Sequence, residues 1–456
     1  MGIMVLAGVI LALAAVGVLA INLYVQSAGT QKRIEHALSS GLKVPVHVTS
    51  TIVTPWGGLK ASGITIPQIS PDSGNFLEAA SFTAHFDWGA LFKHHLDASE
   101  LSLDEPRITW FQSPDGRWEL PRATPTPQPS PVPGVQKETR PPGPPWQITV
   151  HKFTVNEASF DFWDEKGDRV LEFAGVQFQC LDPRASDTNG RASSKNISLH
   201  DKLFFRDMET DWSFLRGALK LSSFQTGVGG GTIRGDAQVA TQAKHTPFNI
   251  DVNFTGVNVN QLMVDAGRPD GEVTGTLKGW LDLSGNSGKR STINGSGHLE
   301  LTGARMQNIE IFQMLGQGLQ IPDLIELNLK TAQADVRIVS GIVNVDKLIL
   351  ESQNLQLTAQ GTIGSDGKLA LNARLTVNGT ISSRLPSFIL TYFKPADTPD
   401  SRYIDFGIGN TLSHPKTNLL ENILGRRIEG QMTDLFDTIF HKKHPNEISE
   451  PSPTPP

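Results

Sequence analysis

Alternation with period two constrains this chain more than any other feature. In the stretch GKLALNARLTVNG (367–379), Leu369, Leu371, Ala373, Leu375 and Val377 fall on one side, while Lys368, Asn372, Arg374, Thr376 and Asn378 fall on the other. Successive side chains of a strand point to opposite faces, so this spacing reads as a strand with one apolar and one wet face. The pattern recurs in LIELNLKTAQADVRIVSG, IVNVDKLILESQ and NLQLTAQGTIGSDG, and earlier in ASFDFWDEKGDRVLEFAGVQFQ, GALKLSSFQTG, GTIRGDAQVA and FNIDVNFTG. Turn residues in the last block arrive roughly every 10–14 positions, which predicts a meander of antiparallel strands. The whole chain reads as on the order of 20 strands. Three short helical stretches interrupt them: NQLMVDAG, NIEIFQMLGQGL and LPSFILTYF.

One-sided strands can satisfy their apolar faces in two ways. Two faces can meet in a sandwich or barrel, the ordinary solution. Alternatively, a long sheet keeps one apolar face for a ligand or partner, because such a face is costly in water unless something fills it. Composition does not choose between them. With 456 residues the chain is long for one compact domain, and 43 glycines mark many turns. A net charge of −6 leaves no electrostatic footprint for nucleic acid. The single cysteine, Cys180, excludes an intramolecular disulfide framework and any multi-thiolate metal site, and reads as a buried structural thiol.

The N-terminus predicts a membrane anchor. Ile3 to Val25 carries no charged residue. As a helix it would be about 35 Å long, enough to cross a hydrocarbon core of about 30 Å. A cleaved signal peptide is the competing reading, but its apolar region is shorter and follows a basic start. Lys32 and Arg33 follow the span, so charge bias alone leaves the topology open. Gln31 to Ser40 then reads as a short helix. Pro121 to Pro145 holds ten prolines in 25 residues and reads as an extended, semi-rigid spacer. The expected organisation is an anchor (1–27), a first β region (28–120), a Pro-rich linker (121–146), a second β region (147–417), an amphipathic helix (418–445) and a disordered tail (446–456).

A search for chemistry returns little. The run GVGGG (227–231) opens into a strand, not a helix, so it reads as a glycine-rich hairpin or bulge and not as a phosphate loop. His94 and His95 are adjacent and would face opposite sides of a strand, and His441 and His444 lie in the basic terminus HKKHPNE. Asn196, Asn253, Asn294 and Asn378 stand in glycosylation sequons, a pattern that arises often by chance. No nucleophile elbow, HExxH or Walker loop occurs; no catalytic residue, metal or cofactor is expected, and the chain reads as a non-enzyme. One helix stands apart. Ile428, Met432, Leu435, Phe436, Ile439 and Phe440 form one apolar stripe between about Arg427 and His441. It reads either as a cap over the last strands or as a helix that docks on a membrane or a partner.

The order of elements resembles the AsmA family. The residues that carry this are LKVPVHVTSTIVTPWGGLKASGITI, then a strand, turn and Gly/Trp pair holding Pro106, Gly116 and Trp118. They continue with GGGTIRGDAQV, FTGVNVNQLM, GEVTGTLKGWLDLSG and INGSGHLELTGARMQNIEIFQML, and close with LILESQNLQLTAQGTIGSDGKLALNARLTV and FGIGNTLSHPKTNL. The resemblance implies a mainly β protein: an elongated, curved antiparallel sheet forming a groove, with a few short helices and one N-terminal transmembrane helix. It further implies a single-pass protein of the bacterial inner membrane with its bulk in the periplasm. There it would bind or conduct phospholipid acyl chains and support outer-membrane biogenesis, with envelope proteins as partners. Under this reading Val336, Ile338, Val343, Val345, Leu348, Leu350, Leu355, Leu357, Leu369, Leu371, Leu375 and Val377 would line the groove. The rival is a non-catalytic structural or regulatory envelope protein acting through protein partners.

Overall fold

A computed structural model describes residues 44–419, except 55–57, 69–73, 92–94, 116–117, 119–120, 122–146, 184, 242–245, 288 and 413, together with scattered positions between 29 and 39. The expected anchor, most of the Pro-rich linker, and the C-terminal helix and tail lie outside the described residues. Among the described residues, no helix is long and apolar enough to cross a membrane. The chain separates into two compact units, residues 1–299 and 300–456.

The first unit opens with β1 (His47–Thr54), β2 (Gly58–Pro67) and β3 (Asn75–Phe86), an antiparallel set. The first strand's free edge is capped locally: Glu35 Oε1 accepts the Val48 N–H at 2.9 Å and Ser39 Oγ accepts that of Val46 at 2.9 Å. A single helical turn, α1 (Trp88–Leu91), leads to β4 (His95–Asp104) and β5 (Arg107–Phe111), both antiparallel to β3. The strands β6 (Gln147–Val150) and β7 (Lys152–Trp163) then run parallel to β4 and β5. The sheet of this unit is therefore mixed, not wholly antiparallel as expected. A parallel neighbour cannot be reached by a hairpin, because the chain must first return to the starting end. From His95 to Phe111 that return is about 56 Å at about 3.3 Å per residue. The Pro-rich stretch falls in this connection, and about 18 residues at the polyproline rise of about 3.1 Å would cover it.

Every later connection in this unit is antiparallel: β8 (Arg169–Leu181), β9 (Asp187–Leu199), β10 (Leu203–Leu215), β11 (Ala218–Val228), β12 (Gly231–Ala240), β13 (Pro247–Asn258) and β14 (Val273–Asn286) each pair with their predecessor. A two-turn helix, α2 (Val259–Asp265), separates the last two; Asn258 caps it by accepting the Gln261 N–H. The GVGGG run is the hairpin between β11 and β12, with Gly229 and Gly230 at φ 50° and 74°. A side chain on Gly229 would meet the Asn258 carbonyl at 3.0 Å and Leu262 of α2 at 3.2 Å, so the glycine admits the helix. The strand β15 (Lys289–Gln307) runs through the boundary between the units.

The second unit adds α3 (Glu310–Leu319), a 3-10 turn (Pro322–Leu324), β16 (Glu326–Asn328), β17 (Thr331–Val339), β18 (Ile342–Glu351), β19 (Leu355–Ile363) and β20 (Leu369–Val377). Two short helices, α4 (Gly379–Ser382) and α5 (Ser387–Leu390), precede β21 (Lys394–Pro395), β22 (Arg402–Asn410) and β23 (Pro415–Thr417). The strands β17 to β20 form the expected meander, and β22 closes against β20. Asn378, one of the sequons, is the N-cap of α4 and accepts the Ile381 N–H. All three helical stretches read from the sequence fall on helices: α2, α3 and α5.

Two sites of the first unit carry stability tests. Gly190 on β9 stands between Cys180 and Trp212, and a Cβ there would lie 1.7 Å from the Gln179 carbonyl oxygen, which already accepts the Trp212 indole N–H at 3.1 Å. Gly190→Ala is expected to cost about 1–3 kcal/mol through backbone displacement; an unchanged denaturation midpoint would contradict this packing. At the parallel seam, Asn156, Ser81 and Ser102 donate to Asp104 at 2.8, 2.8 and 3.1 Å. Burial raises the Asp104 carboxyl, but these hydrogen bonds and nearby Lys60 outweigh it and hold the group below its ordinary value. A folded pKa lower than the unfolded one stabilises the fold above the unfolded value, about pH 4, and the contribution is lost as pH falls through the folded value. Asp104→Asn should therefore lose about 1 kcal/mol at pH 7, the site being partly solvated, and little at pH 2.5. Urea midpoints at the two pH values measure the difference.

Candidate functional site

The registers of the second unit sort its apolar side chains into rows that cross the strands. One row is Ile404, Leu375, Leu357, Leu350 and Ala332, with Val377 and Leu355 beside it. The next is Phe406, Ala373, Ala359, Leu348 and Ala334. Then come Ile408, Leu371, Gly361, Val345 and Val336, and last Leu369, Ile363, Val343 and Ile338. These rows hold all twelve residues expected to line a groove, on one face. They do not share one environment. Leu350, Leu355, Leu357, Leu375 and Val377 are buried in a core with Leu315 and Leu319 of α3, Ile321, Leu324, Ile381 of α4, and Ile389 of α5. Leu348 packs at its edge, and Val345 is buried outside it. Val336, Ile338, Val343, Leu369 and Leu371 are half-buried beyond that helical cover.

A longer apolar face lies in the first unit, on β7 to β14. One row runs unbroken across eight strands: Phe153, Cys180, Gly190, Trp212, Leu221, Ala237, Ile250 and Leu283. A parallel row holds Phe214, Leu219, Val239, Phe248 and Gly285, another Phe224, Gly235, Val252 and Leu281, and a fourth Thr226, Ile233, Phe254 and Gly279. Seven strand intervals of about 4.8 Å make the longest row about 34 Å. On β13 the burial alternates residue by residue: Asn249, Asp251 and Asn253 are exposed, while Phe248, Ile250, Val252 and Phe254 are half-buried. A sheet packed against a second layer would bury such residues as fully as Leu375, which is 0 % exposed. Farther along the longest row Cys180 and Trp212 are buried, the latter stacked against Phe178. The described element laid against these strands is α2, which meets β10 and β14.

Aromatic rings level this face. Trp212 stacks on Phe178 with centroids 5.0 Å apart and its indole nitrogen lies 3.1 Å from where a Gly190 Cβ would be. Phe254 lies 3.0 Å from the missing Cβ of Gly279, and Phe248 lies 3.3 Å from that of Gly285. Each ring thus lies over a glycine on the neighbouring strand and fills the space its side chain would take. The face continues at one end into Trp110, Trp118, Phe162 and Phe173, joined by edge and tilted ring contacts of 5.6–6.5 Å. Bulges with positive φ at Glu157, Gly175, Asp207 and Ser223 interrupt β7, β8, β10 and β11, and bulged strands bend and twist more strongly. Alternation alone did not single this face out, because its apolar positions are interrupted by glycine, threonine and serine.

The opposite face is polar. A shallow depression of about 590 Å³ there is lined by Asn156, Gln177, Gln179, Glu209 and Gln225, with Arg191 paired to Asp211 at 3.2 Å. His95 Nε2 lies 2.9 Å from Thr149 Oγ1, while His94, His441 and His444 lie outside the described residues. Cys180 is buried, as expected, and burial raises its thiol, with Asp182 adding to the shift. Among the described residues, no group of three or more His, Cys, Asp or Glu is placed to hold a metal ion. The stripe Ile428, Met432, Leu435, Phe436, Ile439 and Phe440 lies outside the described residues.

Residues 191–303 match the model of the AsmA family. They run from β9 into β15 and so carry most of the uncovered apolar face. No curated protein and no solved structure matches the chain. Over residues 191–303 the chain is similar to the AsmA family.

Proposed function

We propose that this chain is an envelope protein that holds phospholipid acyl chains along the apolar face of β7 to β14. Its N-terminal span would anchor it in the inner membrane, with the bulk in the periplasm. The observation that carries the reading is the row from Phe153 to Leu283: eight strands wide, apolar, and without a second layer of described residues above it. An acyl chain spans one leaflet, about 15 Å of a hydrocarbon core of about 30 Å. Two such chains fit end to end along one row. Each buried methylene is worth about 0.8 kcal/mol, so a sixteen-carbon chain gains on the order of 10 kcal/mol on leaving water. Leaving a bilayer for the same face is nearly neutral, which suits passage along rows. Headgroups stay in water and need no charged pocket.

The experiment is photo-crosslinking on the full chain purified in mild detergent, with a benzoylphenylalanine at Ile250 and, as control, at Asp251 on the polar face. Phospholipid attached from Ile250 and absent from Asp251 is the expected result. Protein attached from Ile250 instead would favour the partner-binding reading and overturn this one. A paired substitution separates ligand loss from unfolding. Ile250→Asp should keep the folded CD spectrum while reducing bound phospholipid at least severalfold. Leu357→Asp buries a charge in the helix-covered core and should cost about 3–5 kcal/mol of stability. Equal destabilisation by both would mean that the face at Ile250 is sealed.

A further inference from the structure

Helical cover on the second unit stops partway across its apolar face. Beyond the rows that α3, α4 and α5 bury, Val336, Ile338, Val343, Ile363, Leu369 and Leu371 remain half-buried on one side of the sheet, around the buried Val345, while Ile408 packs at the edge of the core. These positions span β17 to β20, three strand intervals, or about 14 Å at about 4.8 Å each. Along the strands the two rows are two residues apart, about 6.6 Å. The surface left by the described residues is thus about as wide as a helix, whose diameter with side chains is about 10 Å.

We propose that this surface is the docking site of the chain's own segment 427–441. That segment lies outside the described residues, and its sequence supplies the matching shape. Between Ile428 and Phe440 the apolar stripe is about 18 Å long at about 1.5 Å per residue. Its composition of Ile, Met, Leu and Phe matches the face that α3 already buries on the adjoining rows through Ile311, Phe312, Leu315 and Leu319. Where the described chain ends places it within reach. Leu419 is fully buried in the core, and Asn418 Oδ1 accepts the Gly407 N–H at 2.8 Å, one residue from Ile408. The eight residues from Leu419 to Arg427 reach about 26 Å when extended, farther than the strand intervals this surface spans. A helix of 15 residues is marginal alone in water, and Gly430 inside it costs about 1 kcal/mol relative to Ala, so this segment needs an apolar partner. Tethering supplies one at an effective concentration on the order of millimolar.

The test is intramolecular photo-crosslinking in the full chain, with benzoylphenylalanine at Leu371 or at Val343. A control probe at Asn372 sits on the opposite face. Peptide mapping should recover adducts with residues 427–441 from Leu371 and Val343, and at least tenfold fewer from Asn372. Met432→Asp with Phe436→Asp should remove them. Two probe positions guard against one misfolded variant. Adducts to lipid or detergent, to a second copy of the chain, to other segments, or in equal yield from Asn372 would overturn the assignment. The lipid test at Ile250 concerns the other unit, so either result can fail alone.

Discussion

Everything in this molecule follows from the need to cover one side of a strand. A single-layer sheet satisfies its backbone through its ladders but leaves half its side chains without a second layer. The second unit solves this with its own connections. The segment between β15 and β16 forms α3 and the 3-10 turn, and the segment between β20 and β22 forms α4 and α5; both fold onto the same rows. Leu315, Leu319, Leu375 and Val377 are essentially inaccessible as a result. Each such burial is worth about 1.5–3 kcal/mol, so this is the structural anchor of its unit.

The first unit connects β7 to β13 through hairpins and short links, and only α2 lies between β13 and β14. Short connections carry no material to form a second layer. The sequence adapts to this in its choice of residues. Glycines at 190, 279 and 285 let rings from neighbouring strands lie over the backbone, so the aromatic surface is partly covered by the sheet itself. Lys195 passes over Gly175, where a Cβ would meet its side chain at 2.6 Å, to pair with Glu157 at 2.8 Å across an intervening strand. That pair is exposed and worth little energy. It ties the bulges of β7 and β8 to β9.

Local pattern made the strands and three of the helices legible, because alternation and the 3.6-residue stripe are properties of short segments. Three things were not legible for related reasons. The parallel seam depends on which distant strand β6 and β7 choose, and nothing in KFTVNEASFDFW encodes that partner. The helical cover over Leu355, Leu357, Leu375 and Val377 comes from residues far along the chain, so KLALNARLTV looks the same whether or not it is covered. The third is a matter of residue type. A face that is uniformly Leu, Val and Ala is what close packing under helices requires. The less regular face, with Phe, Trp, Gly, Ser and Thr interleaved, is the one that the described residues leave without a second layer.

The polar atoms on that uncovered face carry this argument one step further. Ser194, Thr210 and Thr226 are buried hydroxyls at or beside its rows, and an apolar ligand would be expected to strip water from them at a cost. Each is already satisfied by the backbone. Ser194 donates toward the carbonyls of Ala174 and Asn196 at 3.1 and 3.0 Å, Thr210 toward those of Asp211 and Ser222 at 3.0 and 3.4 Å, and Thr226 to that of Arg206 at 3.1 Å. Their hydrogens are directed into the sheet, leaving methyl groups of the threonines and the rings beside them to meet whatever lies above. An acyl chain sliding from one row to the next would then break no hydrogen bond and expose no orphaned donor. Under the proposed reading the free-energy profile of such a chain would be set by van der Waals contact, which varies little between a ring, a leucine and a threonine methyl.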